Sequence, residues 1–193
     1  SRLLVHRDIH EEFVKRFAER SHAAYEAGNP LNPATSLGPM VSFEHQKAVL
    51  ERIERGKTEG ANLVFGGTHP ADLSEGAYVE PALFTGVHSE MSLAQEEIFG
   101  PVASVMSFAS HEEAIRIAND SMYGLAAGIW TRDLKMAHRM VQEIEAGVVW
   151  VNCFGDGDMT QPFGGYKQSG NSRDKAFESL VGYTQSKSVW MKL

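Results

Sequence analysis

Between residues 102 and 152 three short apolar runs, VASVMSF (102–108), LAAGIW (125–130) and VVWVN (148–152), alternate with two stretches of helical character. Ser110 stands where it caps the first stretch, with Glu113 three residues on as its reciprocal partner. The second runs from Asp133 to about Glu145 and sets Met136, Ala137, Met140, Val141 and Ile144 on one face. Gly147 is placed to give that helix a left-handed stop. Strand–helix–strand–helix–strand with short connections reads as two successive βαβ units, because parallel strands need a crossover between them. The expected fold is α/β: an open, mostly parallel twisted sheet with helices on both faces, and VVWVN as a buried strand.

The flanking sequence extends the pattern. SRLLVH (1–6) reads as a strand, followed by a helix from about Asp8 with Ile9, Phe13, Val14 and Phe17 at helical spacing. AGNPLNPATSLGP (27–39) is turn chemistry. A second helix covers roughly Phe43 to Lys57, with Val49, Leu50 and Ile53 on one side; Gly60 ends it and ANLVFGG returns as a strand. The tail YTQSKSVWMKL alternates polar and apolar residues, as a terminal strand seeking an edge would. At 193 residues the chain fits one domain with a real core. A core-type strand that starts at residue 1 reads as part of a longer chain.

Charge and cysteine usage narrow the partners. With 18 Lys+Arg against 25 Asp+Glu the net charge is -7, and no basic stripe offers itself to nucleic acid. No apolar run approaches the roughly 20 residues of a membrane span. One cysteine permits no intrachain disulfide, which suits a cytoplasmic location.

Three motifs bear on chemistry. HEEFV (10–14) and HEEAI (111–115) begin like a zinc-protease helix but lack the second histidine, so no metal is expected. Cys153 follows a strand at the carboxyl end, where open α/β sheets place their sites. A reactive thiolate needs a base, a cation or a helix N-terminus nearby, whereas the local sequence offers Asp156 and Asp158. A packing role and a functional one both remain open. QEEIFGPV (95–102) is equally double: a surface loop with a buried Phe, or a carboxylate for sugar hydroxyls beside a ring that abuts a planar ligand.

Taken together, EEIFGPV, YGLAAGIWTRDL, AGVVWVN and PFGGYKQSG, with NPLNPATSLGP and EPALFTGV upstream, resemble the C-terminal part of the aldehyde dehydrogenase superfamily, in order and spacing. DGDMTQPFGGYKQSGNSRDK is most similar to the aminoaldehyde branch, including gamma-glutamyl-aminobutyraldehyde dehydrogenases. The resemblance implies a homo-oligomeric NAD- or NADP-dependent enzyme acting on a small-molecule aldehyde. In that family a cysteine in a Gly-Gln-x-Cys segment attacks the aldehyde, hydride passes to the nicotinamide, and an upstream Glu activates water. The resemblance places that segment just before Ser1, so Cys153 is not the nucleophile and the 193 residues alone are expected to be inactive. An alternative is a non-enzymatic binding or scaffold protein built on half of the fold.

By the same resemblance, Glu97 binds the nicotinamide ribose and Phe99 lies against the nicotinamide. Phe163 lines the aldehyde pocket, and Phe154 to Thr160, including Asp156, Gly157 and Asp158, is the variable specificity loop. Residues 1–183 correspond to a catalytic-domain fragment and 184–193 to the oligomerisation strand. Two departures stand out: GNSRD replaces the usual Gly-x-Gly-Arg-Glu, through Ser172 and Asp174, and the loop is acidic where many relatives are apolar. The acidic loop points to a polar or cationic aldehyde.

Overall fold

A computed structural model describes residues 1–193, which divide into two compact units, Ser1–Ala114 and Ile115–Leu193. The first unit holds a four-stranded sheet made of β1 (Arg2–His6), β2 (Asn62–Phe65), β3 (Ala82–Thr85) and β4 (Val102–Phe108) in the order β1-β4-β3-β2. Strand β4, the longest apolar run, lies inside the sheet and pairs in parallel with both β1 and β3. Strand β2 is the antiparallel edge, with a register shift between Leu63 and Phe65.

The period of two along these strands sorts the core into two faces. Leu3, Val5, Leu83, Ala103 and Val105 meet Phe13, Val14, Phe17 and Ala18 of α1 (His10–Ala24). Ala82, Phe84 and Ser104 turn to the opposite face, where α2 (Phe43–Thr58) buries Val49 and Ile53. Helices therefore cover both faces of this sheet. Ser104 is a hydroxyl in an apolar core, and it donates to Leu93 O at 3.3 Å, tying β4 to the short α3 (Ser92–Gln95). Helix α2 ends as its sequence predicts. Gly60 takes φ +100° and Ala61 N reaches back to Gly56 O at 3.0 Å, so the carbonyls of the last turn are satisfied.

Helix α4 (His111–Asn119) begins with the expected reciprocal capping: Ser110 Oγ accepts from Glu113 N, and Glu113 Oε2 accepts from Ala109 N at 2.8 Å. In the second unit β5 (Tyr123–Gly124) is followed by β6 (Ala126–Ile129), α5 (Leu134–Glu143) and β7 (Val148–Val151). β6 and β7 pair in parallel across α5, which Asp133 caps through Met136 N at 3.0 Å. β8 (Tyr166–Lys167) pairs antiparallel with β5, and α6 (Ser179–Gly182) precedes the tail. No helix is long and apolar enough to cross a membrane.

Three expectations are corrected. Only the second βαβ unit forms a parallel pair; β4 and β6 lie in separate sheets, because β1 and β3 occupy both edges of β4. β7 is half-buried along its length, having β6 on one edge only. Gly147 has no positive φ, and α5 ends instead with Ile144 in an extended conformation. Glycine is required at 147 because a Cβ there would stand 1.8 Å from Gly164 O. Apart from these, residues 184–193 find no pairing edge within this chain, and Val189, Trp190, Met191 and Leu193 are exposed.

Candidate functional site

The loop after α3 sits at the amino ends of β1, β3 and β4. Pro101 O accepts from Ala82 N at 2.8 Å, and the Ser1 ammonium reaches Val102 O at 3.3 Å. The two adjacent glutamates of this loop have different surroundings. Glu96 is drawn back to α2, 2.8 Å from Arg55 Nη1 and 3.6 Å from Arg52 Nε. Glu97 is exposed, and its charge is felt at the Ser1 amino group, whose pKa burial lowers and Glu97 partly restores. Phe99 has φ +53° and is 72% exposed. A bulky side chain in the left-handed region is strained by roughly 1–3 kcal/mol, and such residues cluster where a ligand is met.

The second group follows β7. Asn152, at φ +56°, joins the ends of β6 and β7: its amide accepts from Thr131 N and donates to Thr131 O, both at 2.9 Å. Cys153 comes next, half-buried. Phe154 packs against Trp150 with ring centroids 4.8 Å apart, and Trp150 Nε1 donates to Asp156 O at 2.7 Å. Asp156 Oδ1 accepts from Gly157 N at 2.9 Å. Asp158 Oδ1 accepts from Thr160 Oγ1 at 2.6 Å and from Thr160 N at 2.7 Å. Those bonds, with the Lys175 charge, hold the Asp158 carboxyl below its ordinary value. A depressed carboxyl supports the turn above the ordinary aspartate pKa and loses that support only as pH falls below it.

Phe163 exchanges backbone hydrogen bonds with Asp174 at 2.8 and 2.7 Å, and Lys175 Nζ lies 5.6 Å from its ring centroid. Phe154, Asp156, Gly157, Asp158 and Phe163 thus form one group in the second unit, while Glu97 and Phe99 form another in the first. The GNSRD turn is held by Arg173, whose Nη1 donates to Gly165 O and Ser172 O and whose guanidinium lies 5.2 Å from the Tyr166 ring centroid. Sequence reasoning missed Asn152, Lys175 and Arg55. An Asn closing a strand is a readable turn signal; the other two carry no local one. No group of three or more His, Cys, Asp or Glu residues gathers to hold a metal ion.

Known proteins can now be compared with this arrangement. The model of the aldehyde dehydrogenase family matches residues 1–189. A betaine aldehyde dehydrogenase of Brucella anthropi is 42% identical over 195 residues, covering 100% of this chain and 40% of that protein. An aldehyde dehydrogenase of Vibrio cholerae is 47% identical over 193 residues, covering 98% and 38%. Among solved structures, the indole-3-acetaldehyde dehydrogenase AldA of P. syringae, in complex with NAD+ and IAA, matches with a TM-score of 0.94 at 50% identity, covering 100% of this chain and 39% of that one. The chain spans about two fifths of the length of these relatives. With one family model running nearly end to end and the fold reproduced at this identity, the chain belongs to the aldehyde dehydrogenase family.

Proposed function

We propose that the intact protein is an NAD-dependent aldehyde dehydrogenase that oxidises a polar or amino-aldehyde to the carboxylic acid. In this reading residues 1–183 supply the nicotinamide-facing loop and the mouth of the aldehyde pocket. The observation that carries it is the juxtaposition of Glu97, an exposed carboxylate, and Phe99, an exposed ring held at φ +53°. Both fit the cofactor. An exposed carboxylate accepts from ribose hydroxyls in charge-assisted bonds, and an outward ring offers a flat apolar face to a planar heterocycle. NAD, when bound, supplies the hydride acceptor. Glu97 then fixes the ribose, Phe99 limits where the adjoining ring can lie, and Phe163 bounds the aldehyde.

Cys153 lies in the loop behind Asn152 and has no part in the chemistry. The nucleophile and the general-base glutamate belong, in this reading, outside these 193 residues. Of the loop aspartates, Asp158 is committed to Thr160 and faces Lys175, leaving Asp156 with one carboxylate oxygen available to a substrate ammonium. Betaine aldehyde, which names one relative's substrate, carries a permanent cation; indole-3-acetaldehyde, which names another's, is neutral.

A matched pair of aldehydes, cationic and neutral at equal length, tests the reading through NADH formation by the intact protein. An exposed ion pair is worth only about 0.2–1 kcal/mol. Asp156→Asn is therefore expected to lower kcat/KM for the cationic aldehyde about threefold and to leave the neutral one unchanged. Cys153→Ser is expected to keep full turnover. Its inactivity would overturn the assignment of the nucleophile, and equal losses on both aldehydes would remove Asp156 from substrate contact.

The tail belongs to the same proposal. A half-apolar strand without an edge in its own chain suits a neighbouring subunit's sheet. Deleting residues 184–193 is expected to lower the molar mass seen by light scattering, and an oligomer unchanged by the deletion would refute it.

A further inference from the structure

We propose that Arg55 of α2 is a positioning residue for the Glu97–Phe99 loop, acting through Glu96; this rests on the reading of Glu97 given above. Arg55 makes two bonds in different directions. Its Nε donates to Glu59 Oε1 and its Nη1 to Glu96 Oε1, each at 2.8 Å. Glu59 in turn accepts from Ser92 N at 2.7 Å and Ser92 Oγ at 2.8 Å. The last turn of α2 and its cap therefore grip both the start and the end of the segment 92–96. At the far side of the loop, a Cβ on Gly100 would lie 2.8 Å from the buried Val49 of α2, so this end too abuts the helix. Three residues, Glu97, Ile98 and Phe99, bridge the two anchors.

That fastening explains what sequence leaves open. Of the neighbouring carboxylates, Glu96 is drawn toward α2, and Glu97 is left for a ligand. A left-handed Phe99 persists only where its surroundings over-determine it, and anchors immediately before and after supply that. Arg52, 3.6 Å from Glu96, adds charge without a hydrogen bond, so Arg55 is the principal holder. Burial raises the Glu59 carboxyl's pKa, but the bonds from Ser92 and Arg55 outweigh it and keep it below the ordinary glutamate value. The grip is thus complete above that value and loosens only as pH falls below it.

Arg55 and Glu96 have side chains 53% and 40% exposed, so their pairing contributes little to global stability. The effect expected is on geometry. In the intact protein without cofactor, Arg55→Met is expected to speed amide hydrogen exchange at residues 97–99 about tenfold, with Tm nearly unchanged. It should also weaken NAD binding by calorimetry about threefold and lower kcat about tenfold, leaving the aldehyde KM unaltered. Arg55→Lys, which keeps the charge but not the fork, should recover part of each loss. Because Arg55, through Glu96, serves the placement of Glu97, Arg55→Met should add nothing to the kinetic loss of Glu97→Gln. Independent, multiplying losses would overturn the proposal, as would unchanged exchange at 97–99. Normal NAD binding and kcat in Arg55→Met, with a clear defect in Glu97→Gln, would defeat this proposal alone. A silent Glu97→Gln would defeat the site reading and this proposal with it.

Discussion

On the proposed reading, Glu97→Gln in the intact protein is expected to slow hydride transfer by about tenfold to a hundredfold while Tm stays unchanged. The substitution keeps the side chain's shape and removes its charge. A hydrogen bond to a charged group is worth roughly 1.5–3 kcal/mol, against about 1 kcal/mol for a neutral one. Each 1.4 kcal/mol is about a factor of ten. Because the ribose fixes the ring that accepts hydride, part of the loss should appear in the chemical step and not only in NAD affinity. Stability is spared because Glu97 is exposed, and surface charges contribute little to folding. Rapid-mixing measurement of the first turnover, with normal and deuterated aldehyde, separates chemistry from product release. An unaltered first turnover together with unaltered NAD affinity would take Glu97 out of the site.

Gly147→Ala is expected to lower stability by about 3 kcal/mol, a large value for one methyl group. The new Cβ would stand 1.8 Å from Gly164 O, 2.8 Å from its carbonyl carbon and 3.2 Å from Gly165 Cα. All three are backbone atoms, so no side-chain rotation relieves the clash. For a chain of this size the loss corresponds to a Tm lower by roughly 6–12 °C. Gly60→Ala is the control: its Cβ meets nothing within 4 Å, and only the left-handed φ of +100° costs it, about 1–2 kcal/mol. The backbone that Gly147 touches leads directly into Phe163, so the folded fraction of Gly147→Ala should also show an altered aldehyde KM. Equal Tm shifts in the two variants would mean that the 147–164 approach is not tight.

What was legible in the sequence is what local spacing decides. VASVMSF is β4 from end to end, Phe43 opens α2, and Gly60 stops it through its own conformation. Where the deciding atom is remote, the same reasoning misleads. Gly147 looks like a helix stop, but its reason for being glycine sits 17 residues on, at Gly164. The run ALFT in EPALFTGV is four residues long, and only pairing with β4 on one edge and β2 on the other makes it a core strand. The sequence EE at 96–97 presents two equal carboxylates; an arginine 41 residues earlier engages one of them. For the same reason Lys175 could not be matched to Phe163, since a backbone bridge between residues 163 and 174 brings them together.

Asn152 has a consequence for how such proteins diversify. Its backbone N–H reaches Ile129 O at 2.8 Å while its side chain holds both backbone groups of Thr131, so the β6–β7 seam is sealed before residue 153. The chain is secured again at the Phe163–Asp174 bridge. Between these two fastenings the loop is tied to the seam at Trp150, through the Phe154 ring and Asp156 O, and to the segment beyond the bridge through Met159 O, so the register of β6 and β7 is set by backbone bonds outside residues 153–162. On the proposed reading of this loop, a graft of residues 153–162 would alter substrate preference while keeping strand register, provided it retained an aromatic for Trp150 to pack on and a carbonyl for its indole N–H.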